Sequence, residues 1–235
     1  MTTSGTYAWN PSAGDLLMNA YAQCLVPRTA LTPEHWVNAG MAFNLLMVDL
    51  SNRNPHQWAL ETVSQALSAS TAEYTLANRV LAIAIAYIDT ADEKSRVIGP
   101  ISATEYGAIP DKTTEGPPTS YWFNLQAAAP VITLYPVPDE DSTYTLKLMA
   151  FRQLQDVAVS AGQTPDAPYR YLDAITTGLA SRLAEIYPDA LVKAKGQGSI
   201  DRLHAQYEAK YNLAARRDQE NTPLFVTPGL SSYFR

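Results

Sequence analysis

One cysteine, Cys24, stands in 235 residues, which excludes an intrachain disulfide and any need for an oxidising compartment. In Tyr21-Ala22-Gln23-Cys24-Leu25 it falls on an apolar helical stripe and reads as a small buried hydrophobe, with a reactive thiol as the alternative. Histidine is scarce too. His35, His56 and His204 are the three, and no two are four residues apart. With no His-Glu-x-x-His and no Cys-x-x-Cys, no metal site is expected. A Gly-x-Ser-x-Gly elbow is also missing, so nothing presents a nucleophilic serine. No cofactor is expected.

Basic charge is in short supply. Lys and Arg total 17 against 23 Asp and Glu, a net charge of -6. A dedicated nucleic-acid binder needs cations to replace phosphate counterions, so this balance argues against one, though not against a surface past which DNA slides. The longest apolar run, residues 80–88, is far short of the ~20 residues of a bilayer span. The start MTTSGTYAWNPS has no basic n-region and no apolar h-region. The expectation is a chain made in the cytoplasm that stays soluble.

What is present is core-forming material, at 46% hydrophobic residues, enough for one large domain or a core with an inserted subdomain. Helix signals come in two pairs, one near each end. Ser12 caps the first helix with Asp15 three residues on, and Leu17, Tyr21 and Cys24 form its stripe up to Pro27. Thr32 caps the second, with Pro33 at its first position and Glu34 beside the positive end of the dipole. Trp36, Gly40, Phe43, Met47 and Leu50 are its buried stripe, and it ends near Asn52. The third starts around Pro168, carries Leu172, Ile175, Leu179, Leu183 and Ile186, and stops at Pro188. Gly178 sits inside it at a cost of roughly 1 kcal/mol, which a close helix crossing would offset. Ser199 caps the fourth, with Leu203, Tyr207, Tyr211 and Ala214 on one side and Arg216-Arg217 at the far end.

Between the pairs the hydrophobic period changes to two. Residues 58–65 and 73–76 read as strands around a Ser-Ala-Ser-Thr turn. Leu81, Ile83, Ile85 and Tyr87 alternate with Ala82, Ala84 and Ala86, which predicts one bulky and one small face. Residues 121–125, 131–137 and 143–151 complete a mostly antiparallel set, interrupted by a short helix at 102–109 with Ser102 as cap and Glu105 at its third position. The predicted fold class is α+β. Residues 1–54 and 156–221 make a helical bundle core from both chain ends, and 55–155 form an inserted β-rich subdomain. An extended C-terminal tail occupies 222–235.

Two places could be mistaken for chemistry. Gly196-Gln197-Gly198-Ser199 looks like a phosphate cradle but lacks the Walker Lys-Ser/Thr and a strand before it, so it reads as a loop. Asp139-Glu140-Asp141-Ser142 is the densest carboxylate cluster and reads as a solvated hairpin tip, with a weak calcium site as the alternative. The tail is more informative. Pro223 and Pro228 break regular structure, while Leu224, Phe225, Val226, Leu230, Tyr233 and Phe234 are apolar and only Arg235 is charged. Such a segment docks, either on its own domain or on a neighbour. Fourteen tyrosines and four tryptophans add modest support for an assembly protein.

One run carries a resemblance. Tyr106, Ile109-Pro110, Lys112, Gly116 with Pro118, the pair Tyr121-Trp122, and Leu134 through Pro136-Val137-Pro138-Asp139 follow one another in order. Upstream stand Thr29-Ala30-Leu31-Thr32-Pro33-Glu34-His35, Leu45-Leu46 and Ser51-Asn52-Arg53. Downstream stand Pro168-Tyr169-Arg170-Tyr171-Leu172 and Gly178-Leu179-Ala180-Ser181-Arg182-Leu183-Ala184. Together they resemble the head-to-tail adaptor family of short-tailed bacteriophages, also called tail tubular protein A or head-completion proteins. One departure is Asn124-Leu125-Gln126-Ala127, neutral where that family has a basic residue after the aromatic pair.

The resemblance implies a non-enzymatic virion protein, made in the host cytoplasm and built into the neck. It implies a ring of about twelve copies bound beneath the portal, joining the filled head to the tail. Its partners would be the portal protein, the tail nozzle protein, other copies of itself, and duplex DNA passing through the channel without specific binding. Leu224, Phe225, Val226, Tyr233 and Phe234 are then the expected contacts to the portal or an adjacent copy. The alternative is a virion-associated cell-wall hydrolase used during entry, which would need a cleft with paired carboxylates. A DNA-binding module is a third class, disfavoured by the charge.

Overall fold

The computed structural model describes residues 5–6, 9–53, 56–77, 79–90, 94–141 and 143–218. The class is mixed α+β, with six α-helices and one curled seven-stranded sheet among those residues. The helices are α1 (Ala13–Gln23), α2 (Pro33–Arg53), α3 (Ala103–Ala108), α4 (Leu172–Ile186), α5 (Asp189–Lys195) and α6 (Ser199–Arg217). The strands are β1 (Leu60–Ala66), β2 (Glu73–Thr75), β3 (Val80–Thr90), β4 (Ser95–Pro100), β5 (Ser120–Asn124), β6 (Val131–Tyr135) and β7 (Tyr144–Arg152).

Local chemistry starts two helices where the sequence places them. Ser12 Oγ accepts from the Asp15 N–H at 3.2 Å while the Asp15 carboxylate accepts from the Ser12 N–H at 3.2 Å. Ser102 and Glu105 repeat this capping box at the head of α3, at 3.1 and 2.7 Å. The last helix differs. Gly198 is its cap residue and Ser199 opens the helix, its hydroxyl donating to the Gly196 carbonyl at 2.7 Å. Helix α5 is not in the sequence reading, because Pro188 reads as a stop; here it also stands at the head of a new seven-residue helix.

Two hydrophobic clusters form. One draws on α1, α2, α4, α5 and α6, with Tyr21, Phe43, Leu46, Met47, Tyr171, Leu179, Leu183 and Tyr207 among its buried members. The predicted stripes hold with three exceptions. Trp36 and Ile186 are exposed, and Gly40 is only half-buried. On α2 the buried face runs instead through Ala39, Ala42, Phe43, Leu46, Met47 and Leu50, one step round from Trp36.

The second cluster lies in the sheet, whose order is β1-β7-β3-β4-β5-β6-β2. All neighbours are antiparallel except β4 and β5, which pair in parallel over only two residues, Gly99 with Ser120 and Pro100 with Tyr121. The strand signals at 58–65 and 73–76 do not pair with each other. They become β1 and β2, the two edges of the sheet, and Trp58 falls in a 3-10 turn before β1. Residues 67–72 join those edges. The Leu67 N–H donates to Tyr144 O at 3.1 Å and the Leu134 N–H donates to Ala72 O at 2.8 Å, so the sheet must curl round its core.

Strand β3 overturns the expected bulky face. Register shifts at Val80/Ala82 and Ile83/Ile85 insert extra residues against β7. Each bulge switches which side chains face inward, so Val80, Ala86 and Ile88 are buried while Ile85 is exposed. Strand β4, with only Ile98 buried, carries too little apolar signal to be read from sequence.

The chain returns from β7 to the helices along α2. Asn44 brackets Val157, accepting from its N–H at 2.8 Å and donating to its carbonyl at 3.3 Å. Ser51 Oγ accepts from the Leu154 N–H at 3.1 Å. These bonds fix how the returning segment lies beside α2.

Candidate functional site

The residue types that carry chemistry are spread apart and absorbed into structure. Among the described residues no group of three or more His, Cys, Asp or Glu side chains is placed to hold a metal ion. Cys24 is buried, its Sγ lies 3.2 Å from Ala180 O, and burial pushes its thiol up to about 12. Asp141 accepts from the Ala69 N–H at 2.8 Å, which ties the loop joining β1 and β2 to the turn before β7. The glycine loop before α6 turns at Gly196, with φ at +86°, and is closed by the Ser199 hydroxyl. No helix among the described residues is long and apolar enough to cross a membrane.

His35 is half-buried, stacked on Tyr187 at 4.4 Å with its Nδ1 2.7 Å from the Thr32 hydroxyl. His204 is exposed on α6. His56 is buried where the helices meet the start of the sheet. Its Nε2 lies 3.0 Å from Leu50 O. A carbonyl only accepts, so Nε2 carries the proton and Nδ1 is left as an acceptor. Nδ1 faces the Tyr171 hydroxyl at 3.4 Å and the Asp218 carboxylate at 3.7 Å. Trp58 stacks on the ring at 4.1 Å. Burial pushes the His56 pKa below its usual 6.5 despite the nearby Asp218. Asp218 itself pairs with Arg170 and accepts from the Gln57 N–H at 3.2 Å.

A second polar knot ties α2 to α6. Arg53 reaches Asp49 at 3.1 Å and Glu208 at 2.8 Å, with its guanidinium over the Tyr207 and Tyr211 rings at 4.9 and 5.1 Å. Both knots hold elements together, although Arg170 Nε and the Trp58 indole N–H in the first are buried without a hydrogen-bond partner among the described residues. They read as fastening rather than as a reaction centre.

The surface feature that stands out is the outer face of α2. Val37, Met41, Leu45 and Val48 are 72%, 65%, 51% and 42% exposed, at spacings of four, four and three. They lie on the side away from the buried stripe, so α2 is apolar on two faces. An open groove of about 710 Å³ runs beside them, lined by Gly14, Trp36, Gly40, Met41 and Val159 among others. The sequence reading found one stripe on this helix and missed the other. The signal was present, since no residue from 36 to 48 is charged. The five predicted contacts Leu224, Phe225, Val226, Tyr233 and Phe234 lie outside the described residues.

A comparison with curated proteins finds no match. The family model of the SU10 adaptor protein matches residues 12–227, which spans every helix and strand described above. An adaptor needs no reaction centre, and engaged polar knots beside an uncharged apolar face suit such a role. On that match the chain belongs to the SU10 adaptor protein family, a family of phage adaptors.

Proposed function

We propose that this protein is a structural component of the virion that joins the filled head to the tail, in the manner of the head-to-tail adaptors of short-tailed phages. About twelve copies form a closed ring through head-to-tail contacts. The ring sits beneath the portal protein, extends the channel for the packaged duplex, and presents its far side to the tail nozzle protein. Its action is mechanical, with no catalytic step. Residues 1–54 and 156–221 form the helical bundle that gives the ring its body, 55–155 form an inserted β-rich unit, and 222–235 form a docking tail. Residues Leu224, Phe225, Val226, Tyr233 and Phe234 contact the portal or an adjacent copy.

The observation that carries this reading is the adaptor-family match over residues 12–227. The test is negative-stain microscopy of the purified protein mixed with the portal protein of the same phage. A second ring stacked on the portal ring is expected. Monomeric protein that ignores the portal would overturn the reading.

A further inference from the structure

Surfaces of this protein that face water have the usual composition. On α6 the outward positions include Asp201, Arg202, His204, Gln206, Asn212, Arg216 and Arg217. The outer face of α2 has none of this. Its exposed positions between Glu34 and Asn52 are Trp36, Val37, Met41, Leu45 and Val48. A helix that is apolar on both sides belongs in an interior. These five side chains expose on the order of 500 Å² of apolar surface, near the top of the ~300–600 Å² typical of the largest patch on a monomer. That is over half of the ~800 Å² per partner that a stable protein interface buries.

We infer that the outer face of α2, with the groove beside it, is where one copy of this chain meets the next in the assembled adaptor. This deepens the adaptor reading and rests on it. The occupant follows from charge. Each copy carries a net charge of -6, so two copies repel wherever their charged surfaces approach. A contact through 36–48 opposes no carboxylate to another and removes apolar side chains from water. Duplex DNA does not fit here, because the face offers no Lys or Arg to replace phosphate counterions. The groove suits close approach. A methyl group at Gly40 would meet nothing nearer than Val159 at 3.9 Å, and one at Gly14 nothing nearer than 3.7 Å, so neighbouring backbone can lie along this floor. The polar side chain at its centre, Asn44, is already engaged with Val157 and asks nothing of a partner. The rival occupant is the chain's own end, because residues 219–235 follow Asp218, whose carboxylate lies 3.2 Å from the Gln57 N–H just beyond α2.

The test uses thiol labelling and ring formation on the portal protein. Cys24 is buried with its thiol held up at about 12, so a Met41→Cys variant has one reactive thiol among the described residues. That thiol is expected to react with a maleimide freely in the monomer and at least about tenfold more slowly in the ring, as solvent leaves the contact. A Met41→Glu, Leu45→Glu double variant, altered at exposed positions, is expected to keep its thermal midpoint within about 2 °C while failing to close a ring. Rings of the double variant at the wild-type concentration, or undiminished labelling of Met41→Cys within wild-type-like rings, would overturn the inference alone. Protection of the thiol already in the monomer, relieved by Phe225→Asp and Phe234→Asp, would assign the face to the chain's own end and overturn it too. A wild-type protein that forms no ring on the portal would remove the adaptor reading and this contact with it.

Discussion

Gly178 lies where α4 passes between α2 and α6. A methyl group there would sit 2.8 Å from two ring carbons of Tyr207 and 3.2 Å from Leu46 Cδ1. Alanine gains ~1 kcal/mol of helix propensity, but overpacking a filled crossing costs ~1–3 kcal/mol. The Tyr207 ring is buried under the Arg53 guanidinium, so it has little room to yield. Gly178→Ala is therefore expected to destabilise by about 1 kcal/mol or more in urea unfolding. Gly107→Ala, where nothing lies within 4 Å, is the control and should be neutral or slightly stabilising. A stabilised Gly178→Ala would show that the crossing has slack. His56 supplies a pH effect. Its pKa is lowered in the folded protein, chiefly by burial, so the unfolded chain binds the proton more tightly. The stability from a neutral His56 is fully present above its ordinary value of about 6.5 and is lost as pH falls through the lowered folded value. Thermal midpoints should hold from pH 8 to 7 and then fall toward pH 5, before most carboxylates titrate. His56→Gln should be less stable at neutral pH and flatter across that window. An equal slope in both proteins would place the titration elsewhere. The cost of Gly178 was legible in sequence and its compensation was only guessed; the burial of His56 was not legible, because its partners Leu50, Tyr171 and Asp218 come from three separate segments.

Elements with complete local signals were read correctly. Helix α3 has its capping box in four consecutive residues, and helix α2 has Pro33 and Glu34 in its first turn. Elements whose signal is shared with a neighbour were not. Strand β4 pairs antiparallel with β3 and parallel with β5, yet buries only Ile98. The bulges of β3 depend on the register of β7, so alternation alone pointed to the wrong face. The tail at 222–235 has the composition of a docking element that gains affinity by laying side chains into a partner's groove. On that reading, removal of 222–235 leaves the thermal midpoint of the isolated protein nearly unchanged and abolishes attachment to the portal. Differential scanning fluorimetry and co-sedimentation with the portal check the two halves. A large drop in the midpoint would place the tail on its own domain.

For the whole molecule the governing quantity is charge. A ring of like-charged copies is opposed by Coulomb repulsion that salt screens, with a Debye length of ~10 Å at 0.1 M. The protein is expected to be monomeric in low salt and to assemble on the portal, where a template offsets that repulsion. Light scattering at micromolar protein checks this, and stable rings at low ionic strength without portal would contradict it. The same charge predicts little affinity for duplex DNA. Submicromolar binding with a steep salt slope would reveal a basic surface that the net charge conceals.

By itself the sequence determined what depends on neighbours within a few residues. Caps, proline boundaries and apolar periodicity set the α+β class and the positions of four of the longer helices. The tertiary structure alone decided what depends on residues far apart. It made β1 and β2 the two edges of one curled sheet, turned β3 with two bulges, and enclosed His56 with Asp218. It also left one apolar face of α2 outside the core. Periodicity shows that a helix has an apolar side, but only the packed neighbours show how many of its sides they cover.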